Sequence, residues 1–139
     1  MKTARLPITG LIGIEKSEKK EYIFKIRNKP EFHDHLHTVH SSIIFALAEA
    51  TSYECLTSSL GEYTELTVPV LHKANTEFTG QGTTALYSRA EYTFEETERL
   101  LSELDEKGRC IMIVPVSIFD DSNIKIFMAT FEWGITLKK

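Results

Sequence analysis

The sequence predicts an α+β fold, an antiparallel β-sheet wrapped around one long buried central helix. Two observations carry this expectation. From Ser41 to about Ser59 the apolar residues Ile43, Ile44, Phe45, Ala46, Leu47, Ala48, Ala50, Tyr53, Cys55 and Leu56 cover nearly the whole circumference of a helix. A helix apolar on every side belongs in an interior, not on a surface. Around it lie short runs with period-2 alternation, joined by turn residues or brief excursions, which is the pattern of a mostly antiparallel sheet. A curved sheet would supply most of the apolar cover such a helix needs.

Length and composition bound the rest. The chain has 139 residues, 42% hydrophobic and 26% charged, close to the globular average. One domain over residues 1–139 is expected, with a core large enough to need no metal or disulfide. The net charge is −4 with no Lys/Arg block, so neither nucleic acid nor an anionic membrane surface is expected as a partner. Cys55 and Cys110 read as buried thiols of a reducing compartment, and a cytoplasmic location is expected. The apolar stretch Leu6 to Ile14 is interrupted by Pro7, Thr9, Gly10 and Gly13 and followed by Glu15 and Lys16, which does not fit a signal peptide. No apolar run approaches the roughly 18 residues needed to span a bilayer.

The elements follow in order. Leu11-Ile12-Gly13-Ile14 and Tyr22-Ile23-Phe24-Lys25-Ile26 are expected to pair as strands across the charged turn Lys16–Glu21. Asn28-Lys29-Pro30 breaks the pattern, and Pro30 to His40 reads as a loop. Ser41 or Thr38 can cap the long helix, and Gly61 follows its end. Leu66, Val68 and Val70 alternate with polar residues, and Asn75 to Phe78 continue that strand beyond a bend. Gly80-Gln81-Gly82 is a turn. Thr84 to Thr93 alternates between two faces. Thr93-x-x-Glu96 fits a capping box, with Leu100, Leu101 and Leu104 at helical spacing and Lys107-Gly108 as the stop. Ile111 to Phe119 is a strand in which Pro115 favours an edge or a bulge. Asp120 to Asn123 turns the chain into the last strand, Ile124 to Ile135.

Glu49 is the chemically informative residue. Its helical neighbours are Ser42, Phe45, Ala46, Tyr53 and Leu56. An isolated carboxylate there costs several kcal/mol, on the order of its desolvation, unless paired or protonated. Burial raises a carboxyl pKa, as a general base working near neutral pH requires. The alternative is a Glu that hydrogen-bonds Tyr53 or a backbone group and only fixes packing. Glu54, about 140° away around the helix, reads as structural or rim-exposed.

Four of the five histidines fall in His33-Asp34-His35-Leu36-His37-Thr38-Val39-His40. In an extended segment alternate histidines project the same way, which suits a metal. Few further ligands follow, so a histidine-rich polar loop is the expectation and no metal is assigned. His40 stands apart because it immediately precedes the long helix. The first amides of a helix have no internal partner and carry partial positive charge. Ser41 and Ser42 place such donors beside His40. Donors aimed at a carbonyl oxygen, with a base nearby, make an acyl-transfer site. Eight residues of helix span roughly 12 Å, so Ser41 and Glu49 serve one site only if two copies of the helix lie antiparallel. A homodimer with sites shared between subunits is therefore expected.

His40-Ser41-Ser42-x-x-Phe45-x-Leu47-Ala48-Glu49 resembles the helix-start motif of hotdog-fold acyl-CoA thioesterases of the phenylacetate-pathway type. That motif reads His-Gly-Gly, a short apolar stretch, then Leu-Ala-Asp or Leu-Ala-Glu. Asp34 to His40 resembles the Asn-x-x-Gly-x-x-His loop before it, and the later strands match in order from about Leu11. The resemblance implies a hotdog fold and a dimer with a continuous sheet, with a tetramer in some members. It implies hydrolysis of an acyl-CoA small-molecule substrate, with coenzyme A as part of the substrate and no other cofactor. Carried over, Glu49 is the catalytic base or nucleophile and the Ser41 amide polarises the thioester carbonyl. His40 is the motif histidine. Asp34, Ser42 and Tyr53 fall at substrate-binding positions. Ser41-Ser42 departs from Gly-Gly, His37 from Gly, and Asp34 from an amide. A negative Asp34 near Glu49 would raise one of the two pKa values further. Two alternatives stand beside hydrolysis: a 3-hydroxyacyl thioester hydratase or dehydratase pairing His35 or His40 with Glu49, and a non-catalytic acyl-CoA-binding hotdog domain.

Overall fold

A computed structural model describes residues 7–139, so Leu6, the first residue of the interrupted apolar stretch, lies outside the described residues. The chain forms α1 (Pro7–Ile12), β1 (Glu15–Lys16), β2 (Phe24–Ile26), α2 (Ser41–Leu60), β3 (Thr67–Phe78), β4 (Leu86–Ala90), α3 (Phe94–Lys107), β5 (Arg109–Phe119) and β6 (Lys125–Leu137). The six strands make one antiparallel sheet in the order β1-β2-β4-β5-β6-β3. This is the hotdog architecture, with α2 as the filling. No helix among the described residues is long and apolar enough to cross a membrane.

The core forms where alternation on the strands meets α2. On β5, Cys110, Met112, Val114, Val116 and Ile118 point inward and are buried. On β6 the inward set is Phe127, Ala129, Phe131, Trp133 and Ile135. Against them α2 buries Ile44, Leu47, Ala48, Leu56 and Leu60. Aromatic pairs lock the layers: Phe45 meets Phe131 at 5.5 Å and Tyr53 meets Trp133 at 5.6 Å between ring centroids. Helix α3 begins with the expected capping box of Thr93 and Glu96 and ends at Gly108, whose φ of 74° is left-handed. Leu100 and Leu104 anchor it on the same core.

Three expectations are corrected. Leu11 and Ile12 are not strand. Pro7 opens a short helix, and Gly13 closes it with φ 85°, its amide and that of Ile14 both donating to Thr9 O at 3.0 Å. Proline at the first helical position and glycine just past the end is a helix signature in its own right. The strand pair forms further on, with Glu15 opposite Lys25. Secondly, Pro115 lies in a central strand with no register shift beside it. Its carbonyl accepts from Glu91 N–H just where β4 has ended. In an antiparallel strand one residue's N–H and C=O face the same neighbour, so the missing N–H falls on a side with no strand to pair. Thirdly, neither Ser41 nor Thr38 caps α2. His40 does, its Nδ1 accepting from Ser42 N–H at 3.0 Å.

One polar clasp is buried between helix and sheet. The Thr51 hydroxyl donates to Leu47 O at 2.8 Å. The Ser88 hydroxyl therefore donates to Thr51 Oγ1, and both side chains are fully buried. Thr51→Val leaves Ser88 with only its long 3.5 Å contact to Phe24 O and is expected to cost about 1–3 kcal/mol. The Thr51→Val/Ser88→Ala double variant should lose less than the two single losses combined. Equilibrium unfolding in urea measures all three.

Candidate functional site

The sheet does not cover α2 completely. Ile43, Ala46, Glu49 and Tyr53, spaced three, three and four residues apart, stay half-exposed along one stripe of the helix. Beside that stripe lies a cavity of ≈ 400 Å³. Ala46, Glu49, Ala50 and Tyr53 form its α2 wall, Trp133 comes from β6, and Ile8, Thr9, Ile12 and Ile14 close the side made by α1 and the turn after it. Glu49 is the one ionisable carboxyl among these residues. Burial alone raises its pKa, and its carboxylate has no hydrogen bond or ion pair among the described residues. Tyr53 does not tie it down. Its ring packs on Trp133 instead. The indole is fixed in turn, since Trp133 Nε1–H donates to Ser52 Oγ at 3.1 Å and the Ser52 hydroxyl donates to Glu49 O at 2.8 Å.

The remaining expected site residues gather two turns away, at the start of α2. His40, Ser41 and Ser42 are exposed. The His40 Nδ1 bond to Ser42 N–H, with Ser42 Oγ 2.8 Å away, places the imidazole proton of the neutral ring on Nε2. Of the two amides expected as donors, that of Ser42 is thus occupied by the cap. The Ser41 amide has no partner among the described residues. No residue of this group lines the Glu49 cavity within the chain.

Asp34 belongs to neither group. Its Oδ1 accepts from the amides of Leu36 at 2.8 Å and Thr38 at 3.3 Å, and the Thr38 hydroxyl lies 3.2 Å from both oxygens. Those backbone amides hold its pKa below the usual carboxylate value, and Glu49 has no influence on it. The like-charge pair expected between Asp34 and Glu49 is therefore not made within the chain. Asp34 organises its own loop. That loop is also why the histidines do not align. His37 N–H donates to Asp34 O in a tight turn with His37 at φ 60°, so the segment is not extended. His33 turns away to Asn28 Oδ1, and His35 and His37 are exposed. Among the described residues no three His, Cys, Asp or Glu side chains converge. Neither His35 nor His40 lines the Glu49 cavity, so the chain by itself does not make the histidine–acid pair of a hydratase.

The cysteines are not nucleophiles here. Burial pushes both Cys55 and Cys110 up to about 11, which keeps them as thiols at neutral pH. Glu54 borders a separate shallow depression with Cys55 and Tyr92. A larger depression of ≈ 780 Å³ lies on the outer sheet face against α3, between Val70, Ile111 and Ile113 on one side and Arg99 and Glu103 on the other. None of the expected site residues borders it. Its charged side chains are also exposed or half-exposed, whereas the smaller cavity combines apolar walls with one carboxyl that has no partner among the described residues, the combination that tunes an acid or base. Of the residues that line this cavity, sequence reasoning singles out Glu49 and Tyr53 as site candidates but not Ile8, Ile12 and Trp133. The Pro7…Gly13 punctuation could have revealed α1, but no local signal shows that Trp133 would meet Tyr53.

Comparison with solved structures supports the architecture. A Pseudomonas aeruginosa protein, PA5026, described as a protein of unknown function and "Probable Thioesterase", superimposes with a TM-score of 0.83 at 13% identity over 98% of this chain and 91% of that one. A thioesterase family protein from Silicibacter pomeroyi gives 0.69 at 13% identity over 97% and 93%. The BH2602 protein of Bacillus halodurans, solved with CoA, gives 0.66 at 18% identity over 92% and 74%. At these identities the likeness is one of fold. No curated protein matches the sequence. The model of one sequence family, described as Domain of unknown function (DUF4442), matches residues 7–135. The chain, built on the hotdog fold, belongs to that family.

Proposed function

We propose that the protein hydrolyses an acyl-CoA thioester to a free acid and coenzyme A. The observation that carries this reading is Glu49, a carboxyl without a partner among the described residues on the wall of an apolar cavity, with its pKa raised by burial. A general base is most effective when its pKa approaches the working pH. In the proposed step Glu49 takes a proton from water, and the water oxygen attacks the thioester carbonyl carbon. The carbon–sulfur bond then breaks, and Glu49 returns the proton to the departing sulfur. The Ser41 amide binds the developing oxyanion, worth about 2.7–4 kcal/mol at comparable sites. The thioesterase names of the Pseudomonas and Silicibacter proteins and the CoA in the Bacillus structure support the reading.

The site needs two copies. Ser41 and Glu49 are eight residues apart on one helix, roughly 12 Å. An antiparallel α2 from a second subunit brings a Ser41 amide to each Glu49. The half-exposed stripe through Ile43, Ala46, Glu49 and Tyr53 favours that packing. So does β3, a 12-residue strand at the end of the sheet order. Its free edge is a liability unless paired, and pairing with its copy makes the sheet continuous. In this assembly His40 holds the helix start and Asp34 holds the loop before it. Ser42 narrows the approach and Tyr53 lines the acyl side. Residues 1–139 act as one hotdog domain, and free thiols suit a reducing, cytoplasmic setting.

A second reading, acyl-CoA binding without turnover, is favoured by the Ser42 amide being taken up by His40. Thiol release from a panel of acyl-CoAs decides between the two, because saturable binding with no release selects the second. On the hydrolytic reading Glu49→Gln lowers kcat by about 10²–10⁴ with the fold intact, and unchanged turnover rejects Glu49 as base. Because Glu49 must be ionised to act, the rate should rise with pH through a value above that of an ordinary carboxyl.

The same variant carries a stability signature. A raised pKa means the folded state holds the proton more tightly than the unfolded chain, so ionising Glu49 destabilises the fold as pH rises through the raised value. Glu49→Gln should therefore melt higher than the parent at pH 7. That advantage should vanish below the ordinary carboxylate range, and thermal unfolding across pH reads it.

Ser41→Pro tests the shared site. Proline is well tolerated at the first helical position, and His40 already has the extended backbone, φ −59° and ψ 141°, that precedes proline. The amide donor is lost together with the exposed Ser41 hydroxyl, so Ser41→Ala, which keeps the amide, serves as the control, and activity of Ser41→Pro should fall about 10²–10³-fold. Mixing Ser41→Pro and Glu49→Gln protomers should restore about a quarter of the parental activity, since half of the dimers are mixed and each holds one intact site. No recovery after verified subunit exchange would place both groups in one chain.

A further inference from the structure

The Glu49 cavity has a composition that narrows what could enter it. Apart from Glu49, the polar groups of its described lining are the hydroxyls of Thr9 and Tyr53 and the Trp133 indole N–H, which is bonded to Ser52, and no Lys or Arg is among the described residues that line it. A second carboxylate on the acyl group would meet Glu49 with no counter-charge among the described residues and would lose its hydration. An apolar tail meets no such penalty. The opposite wall is built for this. Helix α1 turns Ile8 and Ile12, one helical turn apart, toward the cavity, and the Gly13 turn then sends Ile14 into the core at 6% exposure. Ile12 is half-buried on the inner side, and Ile8, 61% exposed, stands at the rim. Across from them the Trp133 indole is held by its bond to Ser52 and by Tyr53, while the α1 wall is a single short helix.

At roughly 30 Å³ for each water-sized group, a cavity of ≈ 400 Å³ has room for the thioester carbon beside Glu49 and a chain beyond it. We propose that the cavity between α1 and α2 receives an uncharged, medium-length aliphatic acyl group, on the order of eight to ten carbons, and that Ile8 and Ile12 set its length. This rests on the acyl-CoA reading above and gives it a substrate class. Trp133, the one tryptophan of the chain, sits in the wall and reports occupancy without any turnover.

The experiment uses the full chain carrying Glu49→Gln, titrated with acyl-CoAs of two to sixteen carbons while Trp133 fluorescence is followed. Decanoyl-CoA should change the emission saturably, while CoA alone and malonyl-CoA should not. Affinity should rise about fourfold per added carbon until the chain outgrows the cavity. Ile12→Phe in the same background should move the optimum to shorter chains by two or more carbons, and Ile8→Ala should relax the upper limit. Equal responses to CoA, malonyl-CoA and decanoyl-CoA, or no response to any, overturn the assignment. So does a length optimum unmoved by both isoleucine variants when circular dichroism shows them folded. Should the parent protein hydrolyse no acyl-CoA while decanoyl-CoA still reports through Trp133, the thioesterase reading fails and the cavity assignment stands. Hydrolysis with no dependence on chain length and no Trp133 response gives the reverse.

Discussion

Helix α2 buries Leu47, Ala48 and Leu56 completely, and keeping water from them is the constraint that shapes the rest of the molecule. A flat sheet would shield only one side of such a helix. Strands twist in a fixed hand, which lets a sheet curve, and the inward rows of β5 and β6 share one core with the helix. The long antiparallel pairings of β5 with β6 and β6 with β3 make that wall continuous. What the sheet leaves open is one stripe of α2, and the partnerless carboxyl lies on it. The site is thus a by-product of incomplete wrapping, a gap the short helix α1 closes from the other side.

Polar groups inside this frame fall into two kinds. Thr51, Ser52 and Ser88 are buried and hydrogen-bonded, so each stabilises a particular seating of helix on sheet. Glu49 is of the other kind, half-buried with no hydrogen bond or ion pair to its carboxylate among the described residues. Asp34 shows how much the surroundings matter. Both are carboxyls of one continuous loop–helix segment, yet backbone amides pull Asp34 down while burial pushes Glu49 up. The two environments drive like groups in opposite directions, which is why the proposed function rests on Glu49 and not on Asp34.

A helix of this kind offers two chemically useful ends that cannot meet in one chain. The N-terminal amides carry partial positive charge, and the acid sits about two turns on. The stiffness of a helix keeps the two apart, and the proposed function joins them through a second copy. On that proposal the copy meets β3, the last strand of the sheet order, and the half-exposed stripe of α2.

The apolar circumference of residues 41 to 60, the strand alternations, the Thr93 capping box and the Gly108 stop could all be read locally, because propensity and periodicity act over a few residues. Glu49 stood out for the same reason, as a charge inside an apolar period. Two local readings went astray where a competing local rule won: Pro7 and Gly13 made a helix of an apolar run, and the His40 ring capped α2 ahead of the serine hydroxyls. Only the tertiary structure could decide that Glu49 lacks a partner among the described residues, that Asp34 is spent on its own loop, and that Trp133 and Ile12, some 120 residues apart in the chain, line one cavity. Sequence periodicity states which side of an element is apolar. Which elements meet there, and what gap remains, depends on how their whole surfaces pack.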